Sequence, residues 1–149
     1  MTGRNLAVLA LGAVALATGA WLSPAPQAPA ITVYKSPACG CCAKWVDHLR
    51  AAGFKVVVHD TDDLAAVKAS VGVPTGLASC HTALVGGYLV EGHVPADLIR
   101  RLLRERPAAA GLAVPGMPGA SPGMDVPRAG SYDVLVFDKQ GKTRVYATR

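Results

Sequence analysis

A β-branched and aromatic run, Ile31-Thr32-Val33-Tyr34, leads through the turn Ser36-Pro37-Ala38 into Cys39-Gly40-Cys41-Cys42. From Cys42 to Ala52 the pattern is that of an amphipathic helix. Val46 and Leu49, with Trp45 beside them, mark its apolar side; Asp47, His48 and Arg50 mark the other, and Gly53 stops it. Three cysteines crowded into a strand-to-helix turn constrain this chain more than any other feature. A helix N-terminus carries positive partial charge, which lowers thiol pKa and favours thiolate, the form that both binds metals and attacks disulfides.

The elements that follow complete a recognisable order. Phe54–His59 reads as a strand. Leu64–Val71 reads as a short helix, opened by Thr61-Asp62-Asp63 and stopped by Gly72. Thr82–Val85 and Tyr88–Glu91 flank Gly86-Gly87, a hairpin signal. Pro95–Arg106 is the strongest helix, with Pro95 suited to its first position, Asp97 at its positive end, and Leu98, Ile99, Leu102 and Leu103 in one stripe. The order β-α-β-α-β-β-α predicts an α/β fold of the thioredoxin-like kind, a small mixed sheet covered by helices. Pro107–Ser131, rich in Pro and Gly, reads as a loop or wrapping arm, and Tyr132–Phe137 with Thr143–Tyr146 as a second hairpin. The expected organisation is residues 31–106 as a thioredoxin-like metal-binding domain, with the arm and hairpin of 107–149 appended to it.

Residues 1–30 differ from the rest. Arg4 is the only charge before Lys35, Leu6–Leu22 is unbroken apolar and small residues, and Ser23–Ala30 is small and Pro-rich. That is the pattern of a secretory signal peptide, with small-x-small cleavage sites after Ala20 or Ala30. The alternative is a retained anchor, since 17 residues just suffice to span a bilayer. Either reading puts the remainder outside the cytosol, where paired thiols oxidise unless a metal or a redox cycle occupies them. Composition narrows the partners. Apolar residues at 51% and charged residues at 17% can build a core and exclude a disordered chain. Aromatics at 5% and a net charge of +5 without a dense Lys/Arg run argue against a nucleic-acid surface.

All four cysteines and all four histidines lie between Cys39 and His93. In the expected fold the segment before the third strand passes the first helix N-terminus, so Cys80 faces Cys39, Cys41 and Cys42, with His81 beside it. Three readings compete. Structural disulfides, such as Cys39–Cys42 with Cys41–Cys80, are the default for an exported chain with an even cysteine count. A thiol–disulfide oxidoreductase would use Cys39 and Cys42, although Cys41 and Cys80 would scramble a clean two-cysteine cycle. The favoured reading is a soft-metal site on Cys39, Cys41, Cys42 and Cys80, with His81 and His93 as further ligand candidates. Consecutive Cys41 and Cys42 suit sulfurs that bridge several Cu(I) ions better than one tetrahedral zinc, which remains the alternative metal. His48 and His59 read as structural or solvated. Met117 and Met124 read mainly as gap fillers, with thioether ligation of Cu(I) the alternative.

The segments Val33–Trp45 (VYKSPACGCCAKW), Gly72–Pro74 (GVP), Ser79–Thr82 (SCHT), Gly86-Gly87-Tyr88 and Glu91–Pro95 (EGHVP) together resemble the CopG-like family, as do Gly111–Pro118 (GLAVPGMP) and Ser121–Met124 (SPGM). Its members are exported bacterial metal-binding proteins, long described as a domain of unknown function and often encoded with copper-resistance genes. The resemblance spans most of residues 31–146. It implies a thioredoxin-like fold, a periplasmic location and copper held by Cys39, Cys41, Cys42 and Cys80. By analogy it also implies a role in copper tolerance, with Cu(I)/Cu(II) conversion and other periplasmic copper-handling proteins as partners. A membrane contact is expected only if the N-terminal segment is retained.

Overall fold

The computed structural model describes residues 29–149. The export-segment reading falls on residues 1–30 and so lies almost wholly outside the described residues. Strands β1 (Ile31–Lys35), β2 (Val56–Asp60), β3 (His81–Val85) and β4 (Tyr88–Glu91) alternate with helices α1 (Gly40–Ala51), α2 (Leu64–Val71) and α3 (Ala96–Glu105) in the expected β-α-β-α-β-β-α order. Within the sheet they lie as β2-β1-β3-β4, with β1 parallel to β2 and antiparallel to β3. This is the thioredoxin-like arrangement.

Period-two alternation sends each strand's side chains to two separate cores. On one face Val33, Ala83, Val85, Val90 and Leu112 meet Trp45, Val46 and Leu49 of α1 and Leu98, Ile99 and Leu102 of α3. On the other, Leu77, Leu89 and Phe137 pack with Val71, Val73 and Leu84 near α2. Of the expected stripe Leu98, Ile99 and Leu102 are buried, as their spacing requires, and Leu103 packs half-buried against the same core.

Boundaries move slightly from those read in the sequence. Helix α1 begins at Gly40 because Cys39 is its N-cap, accepting the Cys42 N–H. Pro95 is the N-cap of α3 rather than its first residue, with an extended backbone that no helical residue adopts.

The larger difference lies in the Gly/Pro-rich stretch, which is not wholly loop. Gly111–Ala113 forms strand β5, parallel to β4, and β5 pairs antiparallel with β6 (Asp133–Phe137), which pairs with β7 (Thr143–Thr148). The second hairpin therefore extends the same seven-stranded sheet at its β5 side. A three-residue strand buried on both faces has no alternation to show in sequence, which is why it reads as loop. A Cβ at Gly111 would lie 2.0 Å from the Leu89 carbonyl oxygen, so only glycine lets β5 approach β4. Gly111→Ala should therefore pull β5 off β4 and lower stability by about 2 kcal/mol, read from urea unfolding. An unchanged midpoint would mean that the β4–β5 approach is not tight.

Candidate metal centre

Helix α1 presents the cysteine turn at its N-terminus. Cys39 and Cys42 form a disulfide with an S–S distance of 1.98 Å, while Cys41 and Cys80 are free thiols. The Cys41 Sγ lies 3.5 Å from the Cys39 Sγ. Cys80, immediately before β3, joins them: the four sulfurs all lie within 4.8 Å of one another. The sequence distance between Cys80 and the turn is bridged by β1–β3 pairing, which sets Lys35, at the end of β1, opposite His81.

Two histidines complete the group. One ring nitrogen each of His81 and His93 lies within 4.8 Å of the Cys80 sulfur and of each other. His93 Nδ1 donates to the Pro122 carbonyl at 2.7 Å, which leaves Nε2 unprotonated and 3.0 Å from Cys80 Sγ. A second hydrogen bond that fixes the tautomer in this way is typical of a ligating histidine. His81 Nδ1 lies 3.4 Å from the same sulfur, and its buried Nε2 has no hydrogen-bond partner among the described residues. Such an orphan costs about 1–3 kcal/mol unless a bound species engages it. Trp45 covers the His81 ring at 4.2 Å and donates its indole N–H to the Val94 carbonyl at 2.9 Å.

Burial sets the protonation of these groups. It pushes the Cys80 thiol up to about 11, with the neighbouring Cys41 adding to the effect. It lowers His81 to about 3, and the charges of His93 and Lys68 push the same way. His93 is lowered too, by burial, with its bond to Pro122 opposing. Both imidazoles and the Cys80 thiol are thus neutral at neutral pH.

The Gly/Pro-rich arm closes one side of the pocket. Pro122 supplies the carbonyl to His93, and Gly123, at φ 89°, passes so close to α1 that a Cβ there would meet the Cys41 carbonyl oxygen at 2.7 Å and the Trp45 nitrogen at 2.8 Å. Met117 is exposed, and Met124 is half-buried beside Gly123.

A family profile described as "Protein of unknown function, DUF411" matches residues 77–124. Two solved structures, forms 1 and 2 of a copper resistance protein CopG, share 46% sequence identity with this chain at TM-scores of 0.76 and 0.77. The matches cover 83% of this chain and 98% and 99% of theirs. This chain belongs to the CopG-like family. A comparison with curated proteins finds no match.

For this CopG-like chain the structure gathers Cys39, Cys41, Cys42, Cys80, His81 and His93, all of which sequence reasoning had singled out. His48 and His59 lie elsewhere. His59 stacks on Tyr34 at 5.2 Å, and His48 Nε2 accepts the Ala96 N–H at 3.1 Å at the start of α3. Sequence reasoning missed the Pro122 carbonyl and Gly123.

Two expectations follow. Gly123→Ala forces the arm off α1, so iodoacetamide should reach Cys80 roughly tenfold faster; an unchanged rate would show that the arm does not cover it. Burial also lowers His48 below its ordinary 6.5, against the pull of Asp97 and Asp125. The unfolded chain therefore takes up this proton before the folded one does. Stability intact above about pH 6.5 is lost as pH falls below it, and His81 and His93 act in the same direction. In urea titrations at descending pH, His48→Gln should show a shallower loss than the unsubstituted protein.

Proposed function

We propose that this protein binds copper, as Cu(I), on Cys39, Cys41, Cys42 and Cys80, with His81 and His93 at the margin of the site, and that it serves copper resistance outside the cytosol. The observation that carries this reading is the convergence of four sulfurs, with two buried imidazoles gathered at the Cys80 sulfur. Thiolates select Cu(I) among the biological metals, and zinc is the nearest competitor. The copper-resistance proteins to which the chain is 46% identical support copper over zinc.

Binding on all four sulfurs requires the Cys39–Cys42 disulfide first to be reduced by an external dithiol, which is itself oxidised to a disulfide as it delivers two electrons and two protons; the two thiols so formed release their protons on binding Cu(I). Consecutive Cys41 and Cys42 favour sulfurs shared between several Cu(I) ions. Imidazole also suits Cu(II), so His81 and His93 beside the sulfurs equip the site to hold copper in either oxidation state. Periplasmic location is supported by the N-terminal pattern of residues 1–30, where Arg4 precedes the apolar run Leu6–Leu22.

The disulfide favours a second reading, thiol–disulfide exchange. In that case a dithiol substrate is oxidised, and its two electrons and two protons convert the Cys39–Cys42 disulfide to thiols.

Anaerobic titration of the reduced protein with Cu(I) should give stoichiometric binding with near-UV thiolate charge transfer. Cys80→Ser should lower the affinity at least about tenfold. Unaltered stoichiometry and affinity in that variant would show that Cys80 is no ligand. Insulin reduction catalysed by metal-free protein with dithiothreitol as the dithiol that it oxidises, surviving both Cys41→Ser and Cys80→Ser, would favour the exchange reading instead.

A further inference from the structure

On the α2 face of the sheet, behind the thiols, Glu91 is fully buried. Its carboxylate accepts from three donors: the Ser79 backbone N–H at 2.6 Å, the Thr82 hydroxyl at 2.7 Å and the Lys68 ammonium. Lys68 also donates to Thr82 Oγ1 at 2.8 Å. A buried ion pair is poorly explained as a source of stability, because apolar replacements of similar volume are often neutral or better. Its position accounts for it more directly. Ser79 precedes Cys80, Thr82 follows His81, and Glu91 stands two residues before His93. Thr82 and Glu91 face each other across the β3–β4 ladder. That ladder fixes His81, but Cys80 precedes β3 and lies outside it, in a segment entering from a 3-10 turn at Thr75–Leu77. The Ser79 N–H finds its partner in the Glu91 carboxylate instead of in the sheet. Ser79 is pressed close against Gly92 as well, where a Cβ would lie 2.6 Å from the Ser79 hydroxyl.

We propose that Glu91, braced by Lys68, is a positioning residue for the metal site: its hydrogen bond to Ser79 N–H holds the Cys80 sulfur against His93 and the cysteine turn. Glu91 itself touches neither sulfur nor imidazole. The functional consequence rests on the copper reading above, whereas the positioning itself is measurable without metal.

Two double variants separate positioning from simple support of the fold. Lys68→Met with Glu91→Gln removes both charges but keeps a side-chain oxygen for Ser79. Lys68→Met with Glu91→Leu removes that acceptor. In a Cys41→Ser background with the Cys39–Cys42 disulfide intact, Cys80 is the one thiol of the chain, and its rate of alkylation by iodoacetamide reports its setting. The Gln pair should react within about threefold of its parent and the Leu pair roughly tenfold faster. With all four cysteines present and reduced, Cu(I) affinity should hold within about threefold in the Gln pair and fall about tenfold or more in the Leu pair.

Equal alkylation rates and equal affinities in two pairs of equal urea stability would overturn the proposal. Alkylation that separates the pairs, with Cu(I) bound tightly by neither them nor the parent, would uphold the positioning and sink the copper reading. Amide exchange in the unsubstituted protein decides the matter if the Leu pair does not fold. Ser79 N–H should be protected about a hundredfold over an exposed loop amide, and exchange at the loop rate would refute the bond.

Discussion

Trp45 is the side chain through which the parts of the site are held to one another. It rises from α1 one turn beyond the cysteines, is fully buried, covers His81 at the start of β3 and bonds the Val94 carbonyl just past His93. Three chain segments thus meet one indole. Its large apolar area anchors α1 on the sheet, and its single N–H fixes the angle at which it lies. Were the helix free to slide, neither the sulfur cluster nor the Cys80–His93 contact would keep its spacing.

Around that anchor two opposing electrostatic influences meet. The N-terminus of α1 favours negative charge at the cysteine turn, where Cys39 already accepts the Cys42 N–H. Desolvation works against charge on every group deeper in: Cys80 is pushed up, His81 and His93 down. At Cys80 burial wins. Behind the sheet the same contest is arranged differently. Burial raises the Glu91 carboxyl above its ordinary value, and its bonds to Lys68, Ser79 and Thr82 oppose that rise only in part.

Much of this was legible in the residues. The β-α-β-α-β-β-α order followed from alternation, helix periodicity and turn chemistry, and the Leu98–Ile99–Leu102 stripe buried as read. Cys39, Cys41 and Cys42 are neighbours in the chain and could scarcely avoid one another. Strand β5 was not legible, because three residues buried on both faces carry no period. Pro122 was invisible for another reason: it contributes a backbone carbonyl, which every residue possesses, so its identity says nothing about its partner.

By itself the sequence determined the elements, the α/β class, the helix-capping cysteine turn and the set of soft donors, since these depend on residue type and short-range spacing. The tertiary structure alone decided how the set is used. It left Cys80 a thiol beside the cysteine turn, turned His93 Nε2 toward Cys80, withdrew His48 to the start of α3, and carried the second hairpin into the main sheet. Each of these depends on strand register and on the desolvation that packing brings. Both are properties of residues far apart in the chain, and local pattern does not encode them.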